Sequence, residues 1–424
     1  MRDSLYAYAL ENNVDTGKLK VFATSAADNR PVPDATISVS LVDDPTDILD
    51  QLNTNSSGQT EPIDLPAPPI EYSLEKDNNN QPYSNYTITI EAPGYEPCVI
   101  SGAEILSGEL SLQNVSLLPL DQKDTFSEEL INIPDHRLYG NYPPKIAEPE
   151  VKPVPESGEI VLSRVVVPQT VIVHDGVPTD SSAKDYYEPY RDYVKNVASS
   201  EIYSTWTDAT IRANVYAIMS FTLNRVYTEW YRGKGYDFTI TSSTAFDHKW
   251  IYGRNIYEKI SLIVDEIFDS YLSRPEVKQP ILTQYCDGRQ VTCPNWMTQW
   301  GSQELGEQGF SAMQIINHFY GSDMYLNHAE QISGIPSSWP GYNLTVGSTG
   351  DKVKQMQNQL ARISQAYSAI TTLIPDGIFG PLTAQAVRDF QKVFDLPVTG
   401  VVDFRTWYKI SHIYVGVTRI AELN

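Results

Sequence analysis

From Lys18 to Thr24 polar and apolar residues alternate, and they do so again over Ala35 to Leu41 and Asn85 to Glu91. A period of two is that of a strand with one buried face. Turn-forming clusters separate these runs, at Asp28-Asn29-Arg30-Pro31, Asn53 to Gly58 and Asp77 to Gln81. Short strands at such spacing predict an N-terminal β-sandwich over residues 1–120. The pattern then breaks. Over residues 121–159, Pro134, Pro143, Pro144, Pro149, Pro153 and Pro155 stand among charged residues. Such a stretch predicts an extended, Pro-rich linker open to proteases.

Residues 160–335 mix both periods, as an α+β domain does. Val165 to Val173 is strand-like, as are Phe238 to Thr241 and Ile281 to Tyr285. Helical spacing puts Ile211, Val215, Ile218, Met219, Thr222 and Val226 on one face. A second helix aligns Ile256, Ile260, Ile263, Val264, Ile267 and Tyr271. Ser311 is placed to cap a third, which buries Ile315, Ile316 and Phe319. After a short linker, Pro336 to Gly341, two further stripes follow: Val353, Met356, Leu360 and Ile363, then Val387, Phe390 and Phe394. These predict a helical domain over 342–424. At 424 residues the chain exceeds one ordinary core, so a multidomain protein is expected.

Charge narrows the partners. A formal net charge of −22 argues against a nucleic-acid partner and against adhesion to anionic lipid. The 27 Tyr and 7 Trp are amphipathic rings on which sugars stack. Met1 to Val14 lacks the apolar run of a signal peptide, and no segment has the apolar length of a membrane span. Three cysteines do not make a disulfide scaffold. Cys286 and Cys293 bracket Asp-Gly-Arg-Gln-Val-Thr. They are open to two readings: zinc ligands with His248, or a β-hairpin carrying two thiols or a disulfide. The spacing is not that of a zinc knuckle, and no metal or other cofactor is expected.

The stretch that carries chemistry is V-A-S-S-E-I-Y-S-T-W, Val197 to Trp206. One carboxyl group among aromatic residues, just before a long helix, fits a general acid whose pKa desolvation raises. The plainer reading is an acidic residue favoured by a helix start.

This stretch, followed by A-T-I-R-A-N-V-Y-A-I-M, resembles the SpoIID/LytB lytic transglycosylases, which read P-S-E-M-P-S-S-W-P before a helix. W-M-T-Q-W-G-S (Trp296 to Ser302) and G-F-S-A-M-Q-I-I-N-H-F-Y-G (Gly309 to Gly321) resemble two later landmarks of that family, in the same order. The resemblance implies that Glu201 is the catalytic acid/base. Ser200, Tyr203, Trp206, Gln299, Trp300 and Tyr320 are the candidate substrate contacts, Tyr320 by the same resemblance; the plainer reading makes Trp300 a core ring and has Tyr320 pack its helix. The reaction implied joins the muramic 6-hydroxyl to its own anomeric carbon, without water. The family's helix Arg falls on Met219, and of the zinc ligands some relatives carry only His248 remains.

V-G-S-T-G-D-K-V-K-Q-M-Q-N-Q-L, D-G-I-F-G-P-L-T-A-Q-A-V-R-D-F-Q and T-G-V-V-D-F-R-T-W resemble the three-helix peptidoglycan-binding module. The whole chain is similar to spore cortex-lytic enzymes of the SleC type. That similarity implies a zymogen made in the mother cell, which resides in the cortex/coat region of the spore. It also implies a subtilisin-like germination protease that removes the N-terminal pro-region, and cortex peptidoglycan as substrate. The alternative from a different class is a non-catalytic, peptidoglycan-binding structural protein of the spore.

Overall fold

The structure is a computed structural model that describes residues 15–120, 129–152, 164–333 and 338–418. Its N-terminal part consists of two sheets. One has the strand order Asp44–Asn53, Thr36–Leu41, Ser84–Glu91, Cys98–Ile105, Glu129–Asn132. The other has the order Ile256–Tyr257, Leu110–Leu117, Thr16–Ser25, Ile63–Pro66. Alternation turns Leu19, Val21 and Ala23 of one sheet, and Ile37, Val39, Ile88, Ile90 and Ile100 of the other, into a common core. Each sheet borrows a strand from beyond residue 120. Glu129–Asn132 runs parallel to Cys98–Ser101. Ile256–Tyr257 pairs antiparallel with Ser111 and Leu112.

The stretch expected as an accessible linker is packed wherever it is described. Residues 129–152 form a strap across the central domain, with His136, Leu138 and Lys152 buried. The strap is held by polar bonds. Arg137 N donates to Ser200 O (3.0 Å), Ile146 N to Ala245 O (2.7 Å), and Leu282 N to Glu150 O (3.0 Å). Glu148 N and Lys152 N donate to Gln284 Oε1 (2.8 Å) and Gln279 Oε1 (2.9 Å). Pro143, Pro144 and Pro149, which have no N–H to satisfy, stay exposed. Hydrophobic period cannot reveal a segment ordered this way, because its partners lie in distant sequence. The rest of the expected linker, 121–128 and 153–159, lies outside the described residues.

The central domain is built on five helices: α1 (Tyr190–Glu201), α2 (Asp208–Tyr227), α3 (Glu258–Ile267), α4 (Gln299–Glu307) and α5 (Ala312–Tyr320). Helix α2 is buried along nearly its whole length and is the hub. Ser311 caps α5 through a reciprocal bond with Gln314, as the sequence predicts. A three-stranded sheet, Asp185–Pro189, Thr170–His174 and Ile240–Thr241, flanks α1. Ile281 to Tyr285 differs from expectation. Only Tyr285 enters a strand, Tyr285–Cys286 beside Met297–Thr298, while the residues before it receive the strap.

The last region packs α6 (Asp351–Ile363), α7 (Pro381–Val393) and α8 (Phe404–Thr418) around Met356, Leu360, Val387, Phe390 and Trp407. Two buried glutamines hold its turns in the same way. Gln357 Oε1 accepts from Asp376 N and Gly377 N, and Gln391 Oε1 from Thr399 N and Gly400 N. Gly377 and Gly400 have φ of +80° and +74°, which a side chain would strain. Lys20 of the N-terminal sheets reaches Asp395 of this region at 2.7 Å.

Candidate active site

Glu201 is the last residue of α1, not the first of a helix. The partial negative charge of that helix end gives a carboxylate no support, so the helix-start explanation of Glu201 fails. Burial leaves Glu201 2% exposed. Its carboxylate accepts from Lys249 N at 2.5 Å and from Gln299 Nε2 at 3.4 Å. The same Nε2 donates to the Glu201 carbonyl at 3.0 Å, which fixes α4 against the end of α1. Thr298 caps α4 by accepting from Gly301 N. A Cβ at Gly301 would lie 2.3 Å from the Thr298 hydroxyl, so the Gln-Trp-Gly run needs its glycine.

The Tyr285 phenol stands beside Glu201. Burial first, and then that carboxylate, push it well above the ordinary tyrosine range. Lys145 of the strap completes the enclosure. Its ammonium lies 4.7 Å from the centre of the Tyr285 ring and 4.9 Å from that of Phe221, and it donates to the Asp247 carbonyl. Burial lowers the Lys145 pKa to about 8, against the opposing pull of Glu201 and Asp247.

Of the expected substrate contacts Gln299 reaches this carboxylate, and all of them are buried. Tyr203, Trp206 and Trp300 are each at most 2% exposed and form one cluster, with ring centroids 5.1–6.2 Å apart. His136 of the strap stacks on Tyr203 at 4.6 Å. Trp206 Nε1 donates to Ser73 O of the N-terminal part at 2.9 Å. Ser200 is turned inward: its hydroxyl donates to Asn196 O at 2.8 Å and accepts from Arg254. Tyr320 sits further off, its hydroxyl on Gln284 O at 2.9 Å.

Cys286 and Cys293 form a disulfide, which removes both sulfur donors from the zinc alternative. The loop they close is not a hairpin, because Tyr285–Cys286 pairs in parallel with Met297–Thr298. His248 is buried beside Phe221, with Nδ1 2.9 Å from the Tyr193 hydroxyl. Burial, followed by Lys145 and Arg225, keeps it neutral. Among the described residues, no group of three or more His, Cys, Asp or Glu is placed to hold a metal ion.

Arg225 is engaged elsewhere than at Glu201. It is buried in ion pairs with Asp247 (2.7 Å) and Glu148 (2.6 Å). The residues that sequence reasoning missed are Lys145, Tyr285 and the Lys249 amide. No local pattern marks them, since each is defined only by what it meets in space.

Comparison with known proteins bears chiefly on the last region. Among curated proteins no sequence matches this chain. Solved structures overlap it only in part. The SleB N-terminal domain is 28% identical over 18% of this chain and 99% of its own, with a TM-score of 0.16. The Bacillus anthracis TIE protein is 17% identical over 25% of this chain and 17% of its own, at 0.18. GBS52, the minor pilin of Streptococcus agalactiae, is 14% identical over 27% and 49%, at 0.19. No helix among the described residues is long and apolar enough to cross a membrane. Residues 349–410, which hold α6, α7 and the start of α8, match the family described as "Putative peptidoglycan binding domain". The C-terminal helical region therefore contains a peptidoglycan-binding domain, and peptidoglycan is a partner of this cell-wall-associated protein.

Proposed function

We propose that this chain is the precursor of a lytic transglycosylase that cuts the bond between N-acetylmuramic acid and N-acetylglucosamine in spore cortex peptidoglycan during germination. One observation carries the reading. Glu201 is a buried carboxyl group beside the Tyr285 phenol, and its hydrogen bonds come from the Lys249 amide and the Gln299 side chain. In the reaction Glu201 protonates the glycosidic oxygen as the bond to the muramic anomeric carbon breaks. It then takes the proton from the muramic 6-hydroxyl as that oxygen closes on the same carbon. The proton returns to Glu201 and a 1,6-anhydro end results, so one residue serves twice and a second carboxylate is not required. Gln299 and the Lys249 amide hold the carboxylate in place, and the dry enclosure keeps water from competing.

The N-terminal sandwich and the strap act as the pro-region. With the strap in place, Lys145 and His136 fill the space over Glu201 and Tyr203, so substrate has no access. A subtilisin-like germination protease removes this cover, and the peptidoglycan-binding domain anchors the enzyme to the cortex. The protein is made in the mother cell and acts in the cortex/coat region of the spore.

The test compares intact chain, protease-treated chain and treated Glu201→Gln chain on decoated spore cortex, with fragments read by mass spectrometry. Anhydro-muramic ends should appear with the treated chain and fall by roughly 10²–10⁴-fold with Glu201→Gln. Binding to cortex without fragments from any form would instead establish a non-catalytic wall protein. Equal activity before and after treatment would remove the pro-region from the reading.

A further inference from the structure

Beyond Glu201 the strap runs along an open cleft of about 600 Å³. Its walls include Trp296, Phe319 and His318 on one side and Arg274 at one end. Trp296 and Phe319 are half-buried and His318 is exposed, so all three side chains are partly accessible from the cleft they line. Glu150 of the strap occupies the Arg274 end. Arg274 Nε and Nη2 both donate to the Glu150 carboxylate, the second at 3.0 Å, in a two-pronged pair. Arg274 also pairs with Asp323 and donates to Tyr320 O at 2.6 Å, which fixes the guanidinium in the cleft.

We infer that this cleft is a binding subsite for a carboxylate-bearing muramyl unit of peptidoglycan, with Arg274 as its anion contact and Glu150 as the internal carboxylate that fills it in the precursor. The inference rests on the proposed function, of which it names a distal subsite. A planar guanidinium recognises carboxylate through two parallel bonds, the geometry that Glu150 already makes. The Glu150 side chain is 38% exposed, so its pair with Arg274 is screened by solvent and exchange for another carboxylate costs little. Aromatic faces beside a fixed cation suit a sugar that carries an acidic substituent. Glu150 follows Lys145, which sits over Glu201, by five positions, so even a fully extended chain carries it no further than roughly 18 Å and the subsite is within reach of the same glycan strand.

The full chain serves for the test, because Glu150→Gln removes the competing negative charge from the subsite without cutting the strap. The probes are N-acetylmuramic acid and N-acetylmuramyl-L-alanyl-D-isoglutamine, with neutral diacetylchitobiose as control. Affinities are read by calorimetry or ligand-observed NMR. Glu150→Gln should bind an acidic probe at least tenfold more tightly than the parent. Adding Arg274→Gln should abolish that gain and leave the neutral sugar unaffected. Should Arg274→Gln fail to fold, Arg274→Lys in the Glu150→Gln background keeps the charge without the fork and should give an intermediate affinity. No gain for either acidic probe in Glu150→Gln, or a gain indifferent to Arg274, overturns the subsite. No turnover enters the measurement, so a failure here is distinguishable from a failure of Glu201 as acid/base.

Discussion

The peptidoglycan-binding domain and the Glu201 pocket are built on opposite principles. In the former, nearly everything is local. Apolar stripes on α6 and α7 meet within some 60 residues, and two glutamines close turns only 8 to 20 residues away. In the latter, nothing is. Lys145 comes from the strap, Glu201 from α1, Lys249 from the loop after the Ile240–Thr241 strand, Tyr285 from a short strand and Gln299 from α4. The first region is held mainly by apolar burial and the second by buried polar bonds. The contrast sets a region whose contacts are mostly local beside a pocket whose parts come from five separate segments.

The sharpest way to break the contrast is to remove one charge from the second region. Arg225 is buried between Asp247 and Glu148, and Asp247 also accepts from Tyr231 and Thr241. Arg225→Met leaves both carboxylates without their cation and should cost about 3–5 kcal/mol. Denaturant melts should show the central domain destabilised while peptidoglycan binding persists. Loss of wall binding in step with the central domain would show that the two regions are not independent.

A comparable break in the first region is Phe390→Ala. Phe390 is fully buried against Phe394, at a ring distance of 4.7 Å. Its truncation should cost about 3 kcal/mol and fall on the peptidoglycan-binding domain, with wall affinity lost before any change at Glu201. Tryptophan fluorescence of the Trp206–Trp300 cluster, followed against wall binding in one titration, separates the two.

This division is also why one region was legible in sequence and the other only in part. Val353, Met356, Leu360 and Phe390 announce their faces by spacing alone, and Asp376-Gly377 and Thr399-Gly400 announce their turns. Glu201 was legible by its neighbours in sequence, yet its position at the end of α1 was not, since Tyr190 to Glu201 shows no simple apolar stripe. The strap is not legible in sequence, because its prolines signal extension equally well in a free linker and in a docked one. Partners far along the chain, among them Ser200, Ala245, Gln279, Leu282 and Gln284, decide between them. The strand Ile256–Tyr257 is hidden in sequence for a related reason: pairing with Leu110–Leu117 claims two residues that the helical period of α3 fits as well.

A milder perturbation acts where the regions meet. Asp265 on α3 lies between Lys195 (2.8 Å) and Arg191 (3.2 Å), and Arg191 also donates to Tyr408 O on α8. Burial works against the Asp265 carboxylate, but Lys195, Arg191 and Lys409 outweigh it and hold its pKa well below the ordinary range. A depressed carboxyl pKa contributes stability above the unfolded value, and that contribution is lost as pH falls below about 4. Melting temperature should therefore drop on acidification, and Asp265→Asn should melt lower at neutral pH with a flatter acid limb. An unchanged acid limb in the variant would assign the acid sensitivity to other groups.

The smallest effect expected concerns Lys145, and its sign is informative. The ammonium sits beside Glu201, which suggests that attraction docks the strap. Burial nonetheless dominates and brings Lys145 to about 8. A docked form with the lower pKa binds fewer protons than the released one, so docking strengthens as pH rises from about 8 towards the ordinary lysine value near 10.4. Lys145→Met removes the titration and keeps the apolar contact with Phe221 and Tyr285. The variant strap should be cut by an added protease no faster than the parent's at pH 7. The parent-to-variant ratio of rates should approach one as pH rises through 9. Faster cutting of Lys145→Met would mean that the strap is held by its charge on Glu201, and the pocket would then be closed by a salt bridge where the geometry shows a buried amine packed on rings.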